Sequence, residues 1–214
     1  MLKKLKLKLS KKIPKRYDLR RIPGFTYNDD RGWSFVGRKG FFIPIKDEMG
    51  RITSLQIRSD DIEKWKCEQR GKKFSRYTFF SDGSIPIINS VHVVGNIKSN
   101  NRIWVTEGPL KADIFNHITG ECIIALPGVN SGHKKIIELL KESNADIIMS
   151  FDMDIVDNIY VKKAFMSLVA ELKKYTNRVY IKTWENVYKK YNVKGLDDYV
   201  VFLKRQGKLR DFYS

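Results

Sequence analysis

IWVTEGPLKADIF, residues 103–115, and ADIIMSFDMD, residues 145–154, decide how this chain is read. Each begins as an apolar run of the kind that fills a strand covered on both faces. Each run then stops at carboxylates: Glu107 followed by Gly108 in the first, Asp152 and Asp154 in the second. Pro109 and a helical pattern follow Glu107, which predicts a strand over 103–107 and a helix over 109–118. The second stretch predicts a strand over 146–151 with two acids at its end, at i and i+2. In an extended chain that spacing sends both side chains to one face. Open α/β sheets bind ligands at the carboxyl ends of their strands, so the three acids are expected to converge. Clustered carboxylates repel unless a cation lies among them, and an all-oxygen set suits Mg²⁺ or Mn²⁺. Glu107, Asp152 and Asp154 are therefore the candidate metal ligands and catalytic residues; Glu107 has the alternative role of general base.

The alternation continues on either side. A strand over 122–126 leads through the loop PGVNSGH to a helix over 134–143. A helix over 157–175, a strand over 178–184 and a last helix near Gly195 follow the acidic pair. Strands alternating with helices through short links predict a parallel sheet covered on both faces, an α/β fold. Gly128, Asn130 and Ser131 should edge the site, although turn chemistry accounts for them without a function. Asp157 is read as the cap of the following helix, His133 as a surface or capping residue, and Trp104, Trp184 and Cys122 as core. Lys111 contacts a phosphate or pairs with Glu107 at i,i+4.

The amino-terminal half reads differently. It holds strands over 41–45 and 51–58 joined by a turn at Asp47–Gly50. A polar stretch, 64–73, follows, then a strand over 76–80 and a turn over 81–84. Arg58, Lys72, Lys73 and Arg76 interleave with Trp65, Phe74, Tyr77 and Phe79. Cations among aromatics suit single-stranded nucleic acid, since charges follow phosphates while rings stack bases.

Charge supports the same partner. The 214 residues carry a net charge of +17. Residues 1–100 hold 23 Lys+Arg against 10 Asp+Glu, a net of +13, and the remainder 18 against 14, a net of +4. Such a field favours nucleic acid and phosphorylated ligands. The two cysteines, Cys67 and Cys122, have no zinc-ribbon spacing and imply no disulfide framework. No apolar stretch approaches the roughly 18 residues that cross a membrane, and MLKKLKLKLSKK reads as a basic arm, so a cytoplasmic protein is expected. The expected divisions are an arm over 1–19, a basic α+β lobe over 20–100, an α/β domain over 101–200 and a tail over 201–214.

Residues 101–200 resemble a Toprim domain, the metal-binding module of bacterial-type primases, topoisomerases and some nucleases. The resemblance rests on Thr106-Glu107-Gly108 at one strand end and Asp152-Met153-Asp154 at a later one, in that order and spacing. Upstream, Pro44-Ile45-Lys46-Asp47, Gly50-Arg51-Ile52, Gln56-Ile57-Arg58, Ser75-Arg76-Tyr77 and Ser81 are similar to the segment that precedes the Toprim of replicative primases. Residues 194–198, Lys-Gly-Leu-Asp-Asp, resemble a segment found in primase-related proteins of phages, plasmids and other mobile elements. Ile155-Val156-Asp157 departs from the family's small-residue step after the second aspartate.

The resemblance implies a Mg²⁺- or Mn²⁺-dependent primase-like nucleotidyltransferase of a mobile genetic element. Its partners would be single-stranded DNA, nucleoside triphosphates and a replicative helicase or polymerase of the same element. It assigns nucleic-acid contacts to Arg58, Lys73, Arg76, Tyr77 and Lys111, and an outer-shell role to Asp198. Two alternatives stay open: a Toprim nuclease using the same acids, and a non-catalytic single-strand-binding accessory of replication.

Overall fold

β-branched and aromatic runs punctuated by glycines build the amino-terminal unit from two small sheets. The computed structural model describes residues 18–20, 22, 25–30, 32–35, 40–71, 74–79 and 91–213. Strands β1 (Phe25–Asn28) and β2 (Gly32–Phe35) pair antiparallel, with Tyr27 and Trp33 in edge contact at 5.0 Å. β3 (Gly40–Lys46), β4 (Ile52–Ser59) and β5 (Tyr77–Phe79) form a three-stranded sheet in that order. Gly40 is required by close approach: a Cβ there would stand 2.3 Å from the Arg58 carbonyl oxygen. Helix α1 (Asp61–Gln69) occupies most of the stretch whose polarity suggested no element. Its Glu, Lys and Gln residues are good helix formers, but a chain with so few apolar positions shows no 3.6-residue stripe.

Two units separate by their internal contacts, one of residues up to 45 together with 52–88, the other of 46–51 together with 89–214. The second unit carries the expected alternation. β6 (His92–Val94) and β7 (Arg102–Glu107) precede α2 (Pro109–Thr119), β8 (Cys122–Leu126) and α3 (His133–Leu140). β9 (Asp146–Met149), α4 (Ile159–Lys173), β10 (Val179–Ile181), α5 (Glu185–Tyr191) and α6 (Leu196–Arg205) complete it. The sheet order is β10-β9-β7-β8-β6. β10, β9, β7 and β8 run parallel, while β6 pairs antiparallel with β8, an edge strand the alternation did not foreshadow.

Both faces of this sheet are covered, which is why its central strands read as unbroken apolar runs. Ile103, Val105, Ile124 and Ile147 face one core with Leu140 of α3 and Leu168 of α4. Trp104, Ile123 and Ala125, the alternate residues, face the other core with Phe115 of α2 and Leu196 and Val200 of α6. Burying each large apolar side chain stabilises by about 1.5–3 kcal/mol. Trp104 stacks on Phe212 at 4.8 Å, and Trp184 stacks on Tyr199 at 5.0 Å while its Nε1 donates to the Val193 carbonyl at 2.9 Å. Cys122 is fully buried among the first of these cores.

Helix α4 starts two residues later than expected, and its cap differs. Asn158, not Asp157, accepts from the Tyr160 and Val161 N–H groups, because a 3₁₀ turn, Met153–Val156, intervenes and consumes Asp157 as its closing residue. Among the described residues no helix is long and apolar enough to cross a membrane.

Candidate metal centre

Glu107 is the last residue of β7, held at the carboxyl edge of the sheet by parallel pairing with Leu126. The next residue, Gly108, donates its N–H to the Leu126 carbonyl at 2.8 Å and takes φ +85°, a value glycine accommodates without strain. That kink sends Pro109 away from the sheet to start α2 and leaves the Glu107 side chain at the edge.

The two aspartates reach the same edge by another route than strand pleating. β9 ends at Met149, and Ser150 N still donates to the Val105 carbonyl at 2.8 Å. Asp152 is extended, at φ −55° and ψ 142°, and Asp154 then lies inside the 3₁₀ turn. The turn closes with Ile155 N donating to Asp152 O at 3.1 Å and Asn158 N to Asp154 O at 3.0 Å. Side-chain oxygens of Glu107, Asp152 and Asp154 all lie within 4.8 Å of one another. The three acids therefore converge as their positions at strand ends predict, but Asp154 is brought in by a 3₁₀ turn and not by the pleat of an extended strand.

Two lysines enter this cluster. Lys111, on the first turn of α2, hydrogen-bonds through Nζ to Asp152 Oδ1; the nearer carboxylate partner is Asp152, not the i−4 Glu107. Lys194 Nζ lies 2.6 Å from Asp154 Oδ2 and 3.6 Å from Asp152 Oδ2. Its backbone carbonyl accepts Met153 N at 3.0 Å, so the loop before α6 is pinned to the acidic turn.

The next residues crowd in as well. A Cβ on Gly195 would meet Asp197 Oδ1 at 2.4 Å, so a larger residue would displace that carboxylate; Asp198 Oδ2 at 3.5 Å and Asp152 Oδ1 at 3.6 Å would be in ordinary contact. Asp197 Oδ1 is buried with no hydrogen-bond partner. Asp198, the residue singled out from the sequence, sits one position further and is more exposed. Its Oδ2 accepts Gly195 N at 3.3 Å, a capping arrangement at the start of α6.

Burial and then the Asp152 charge push the Glu107 carboxyl up to about 7, with Lys111 opposing. Asp197 is raised by burial and then by Asp198. Lys194 is raised by its hydrogen bond to Asp154. These are the signs of an acidic cluster with too few cations.

The remaining candidates are placed as follows. Ser131 Oγ donates to the Gly128 carbonyl at 2.9 Å, and His133 Nε2 donates to the Val129 carbonyl at 2.7 Å, so both complete the loop before α3. Arg58 and Tyr77 are directly opposed in the β4–β5 pair, both exposed and hence on one face. Arg76 Nη2 bonds to Asp61 Oδ1 at 2.9 Å. Lys72, Lys73, Phe80, the turn over 81–84 and the arm over 1–17 lie outside the described residues.

A histidine the sequence did not mark is buried beneath α2. His92 Nε2 faces Asp113 Oδ1 at 3.2 Å while Nδ1 accepts Lys46 N at 3.1 Å, so both ring nitrogens are used within the second unit. No motif spacing announces it, because its partners come from distant parts of the chain.

Residues 96–207, just over half of the chain, match a family model described as "Domain of unknown function (DUF3854)". A comparison with curated proteins found no match. Solved structures similar to the chain include a DnaG primase catalytic domain bound to single-stranded DNA, with TM-score 0.56 and 15% identity, over 94% of this chain and 61% of that one. The RNA polymerase domain of Mycobacterium tuberculosis primase DnaG is similar with TM-score 0.56 and 12% identity, over 92% of this chain and 64% of that one. The zinc-binding and RNA polymerase domains of Aquifex aeolicus primase are similar with TM-score 0.55 and 14% identity, over 86% and 44%. The chain thus spans less than two thirds of the length of each. At these identities the likeness is one of fold: a parallel-strand sheet flanked by helices, similar to the primase catalytic core.

Proposed function

We propose that this chain, which belongs to the DUF3854 domain family, is a primase-like nucleotidyltransferase that uses Mg²⁺ or Mn²⁺ in DNA replication. The observation that carries the reading is the convergence of Glu107, Asp152 and Asp154, with oxygens within 4.8 Å, at the carboxyl edge of a parallel sheet. The donors fit a hard divalent ion: they are all oxygen, and the neighbouring Asp197 Oδ1 is buried without a partner. Asp152 and Asp154 are assigned as its ligands. When bound, such an ion supplies positive charge to triphosphate oxygens on which charge builds as pyrophosphate leaves.

Glu107 either completes the ligand set or takes the proton of an attacking 3′-hydroxyl. A carboxyl that titrates near 7 is suited to the second task, since a general base works best with a pKa close to the working pH. Lys111 offsets the charge of Asp152 and stands one helical turn from Glu107, within reach of a phosphate. The Toprim assignment over 101–200 is supported by this order of acids. Origin in a mobile genetic element is supported by the segment 194–198, which folds beside the acids.

Template is assigned to the amino-terminal basic lobe, 20–100. The similar DnaG primase catalytic domain was solved bound to single-stranded DNA, and here Arg58 and Tyr77 present a cation and a ring side by side on one strand pair. The nucleoside triphosphates, and a helicase or polymerase partner, belong to the same proposal.

One assay tests it: purified protein, labelled single-stranded DNA, nucleoside triphosphates and Mn²⁺. Extended products lost in the double variant Asp152→Asn/Asp154→Asn are expected. Shortened products lost in Glu107→Gln would instead make the chain a nuclease, and a mobility shift without either would make it a binding accessory. The double variant should also lose Mn²⁺ binding while keeping its fold. Retained Mn²⁺ affinity would show that the ion sits elsewhere.

A further inference from the structure

Lys194 bridges the two aspartates at the place a shared cation would take. Its Nζ is 2.6 Å from Asp154 Oδ2 and 3.6 Å from Asp152 Oδ2. Lys111 holds the other oxygen of Asp152, so both oxygens of that buried carboxylate face an ammonium group. The two lysines are differently mounted. The Lys111 stem lies over Gly108, its Cδ and Cε 3.4 Å from where a Cβ would stand, and its side chain is 26% exposed. Lys194 comes from a loop and is 46% exposed.

The loop that carries Lys194 is fixed without its ammonium group. Val193 O accepts the Trp184 indole, Lys194 O accepts Met153 N, and Gly195 N donates to Asp198 Oδ2. Nζ can therefore leave the aspartates by rotating its four-carbon stem, with no change in the backbone. Lysine suits this: it is a compact charge on a flexible stem and binds phosphate as a point charge.

We infer that Lys194 is a resident counter-cation of the site: it holds the Asp152–Asp154 pair in the metal-free protein, yields to the divalent ion, and then binds phosphate oxygens of the incoming nucleotide. The inference rests on the reading of the site as a metal centre. Charge balance supports it. Glu107, Asp152, Asp154 and Asp197 bring four carboxyl groups against two ammonium groups, so the cluster accepts a divalent ion. With the ion bound, the four carboxylates are balanced only if Lys194 stays nearby after release; without it the site keeps a net negative charge that repels a polyanionic triphosphate. It follows that Lys194 competes with the ion and assists the nucleotide, two opposite effects from one side chain.

The test uses the full chain as wild type, Lys194→Met and Lys194→Arg, with Lys194→Gln in reserve if the methionine variant fails to fold. Mn²⁺ binding is read from the loss of the free-ion resonance signal, and thermal unfolding is followed with chelator present. Binding of a non-hydrolysable nucleoside triphosphate analogue is measured at saturating Mn²⁺. Lys194→Met should bind Mn²⁺ about three- to tenfold more tightly than wild type, the range between an exposed and a half-buried ion pair. It should melt lower without metal and bind the triphosphate analogue more weakly, while Lys194→Arg should stay near wild type in Mn²⁺ affinity. Unchanged or weaker Mn²⁺ binding by Lys194→Met, with wild type binding normally, overturns the counter-cation role and leaves the metal centre standing. No Mn²⁺ binding by wild type overturns both.

Discussion

Glu107 holds its proton to higher pH than an ordinary carboxyl group, because burial and the Asp152 charge both disfavour the carboxylate, with Lys111 opposing them. Its folded pKa, about 7, lies above the ordinary value of 4.5. Between those two values the folded protein binds more protons than the unfolded chain, so this residue makes the metal-free protein lose stability as pH rises through that window. Above about pH 7 the loss is complete and the curve levels. Glu107→Gln should remove that component: with chelator present, its melting temperature should exceed that of wild type at about pH 8 and converge with it near pH 5. Parallel melting curves for the two proteins across this range would show that Glu107 is not the group responsible. Mn²⁺ affinity of the wild type should climb toward pH 7 and then flatten, because the ion competes with the proton on Glu107.

Helix α4 and the 3₁₀ turn before it act as one positioning element. Asn158 caps the helix through its side chain, and its backbone N–H donates to the Asp154 carbonyl at 3.0 Å. The cap thus fixes both where α4 begins and where the acidic turn ends. Asn158→Ala should cost about 1 kcal/mol of stability, read as a shift in the urea midpoint at unchanged slope. A variant as stable as wild type would mean that neighbouring turn hydrogen bonds replace the cap. At the element scale the sequence was legible where a strand is buried on both faces, as in β7, β8 and β9. It was not legible where an element is short and polar, as in α1, or where pairing direction is set by a distant partner, as in β6.

The charge of the whole molecule, +17, favours polyanions without selecting among them. Selection needs particular side chains; in the proposed assignment of template to the amino-terminal unit, Arg58 and Tyr77, opposed on one strand pair, would supply it. Arg58→Ala should reduce the slope of log affinity for single-stranded DNA against log salt by about 0.7, the value for one lost phosphate contact. Arg76→Ala should change the slope less, since its guanidinium is paired with Asp61. Tyr77→Ala should weaken binding by about 1–3 kcal/mol with the slope unchanged, because stacking releases no counterions. Equal effects from alanine at any exposed lysine would show that only bulk charge matters.

The α/β alternation beyond residue 101, the sheet with two buried faces, and the candidacy of Glu107, Asp152 and Asp154 were legible along the chain. All three follow from local information: apolar runs of strand length, a Gly-Pro stop, and acids where those runs end. How the acids meet emerged from packing, since Asp154 is returned by a 3₁₀ turn rather than by the pleat of a strand. Packing also decided that Asp197 holds a buried, unpartnered carboxylate oxygen while Asp198 caps α6, and that Lys194, 40 residues beyond Asp154 in sequence, pairs with both aspartates. Spacing along a chain predicts neighbours only within one helix or strand. Contacts between the β9 turn and the loop before α6 depend on how two separate elements pack on the same sheet edge, and no local pattern encodes that distance.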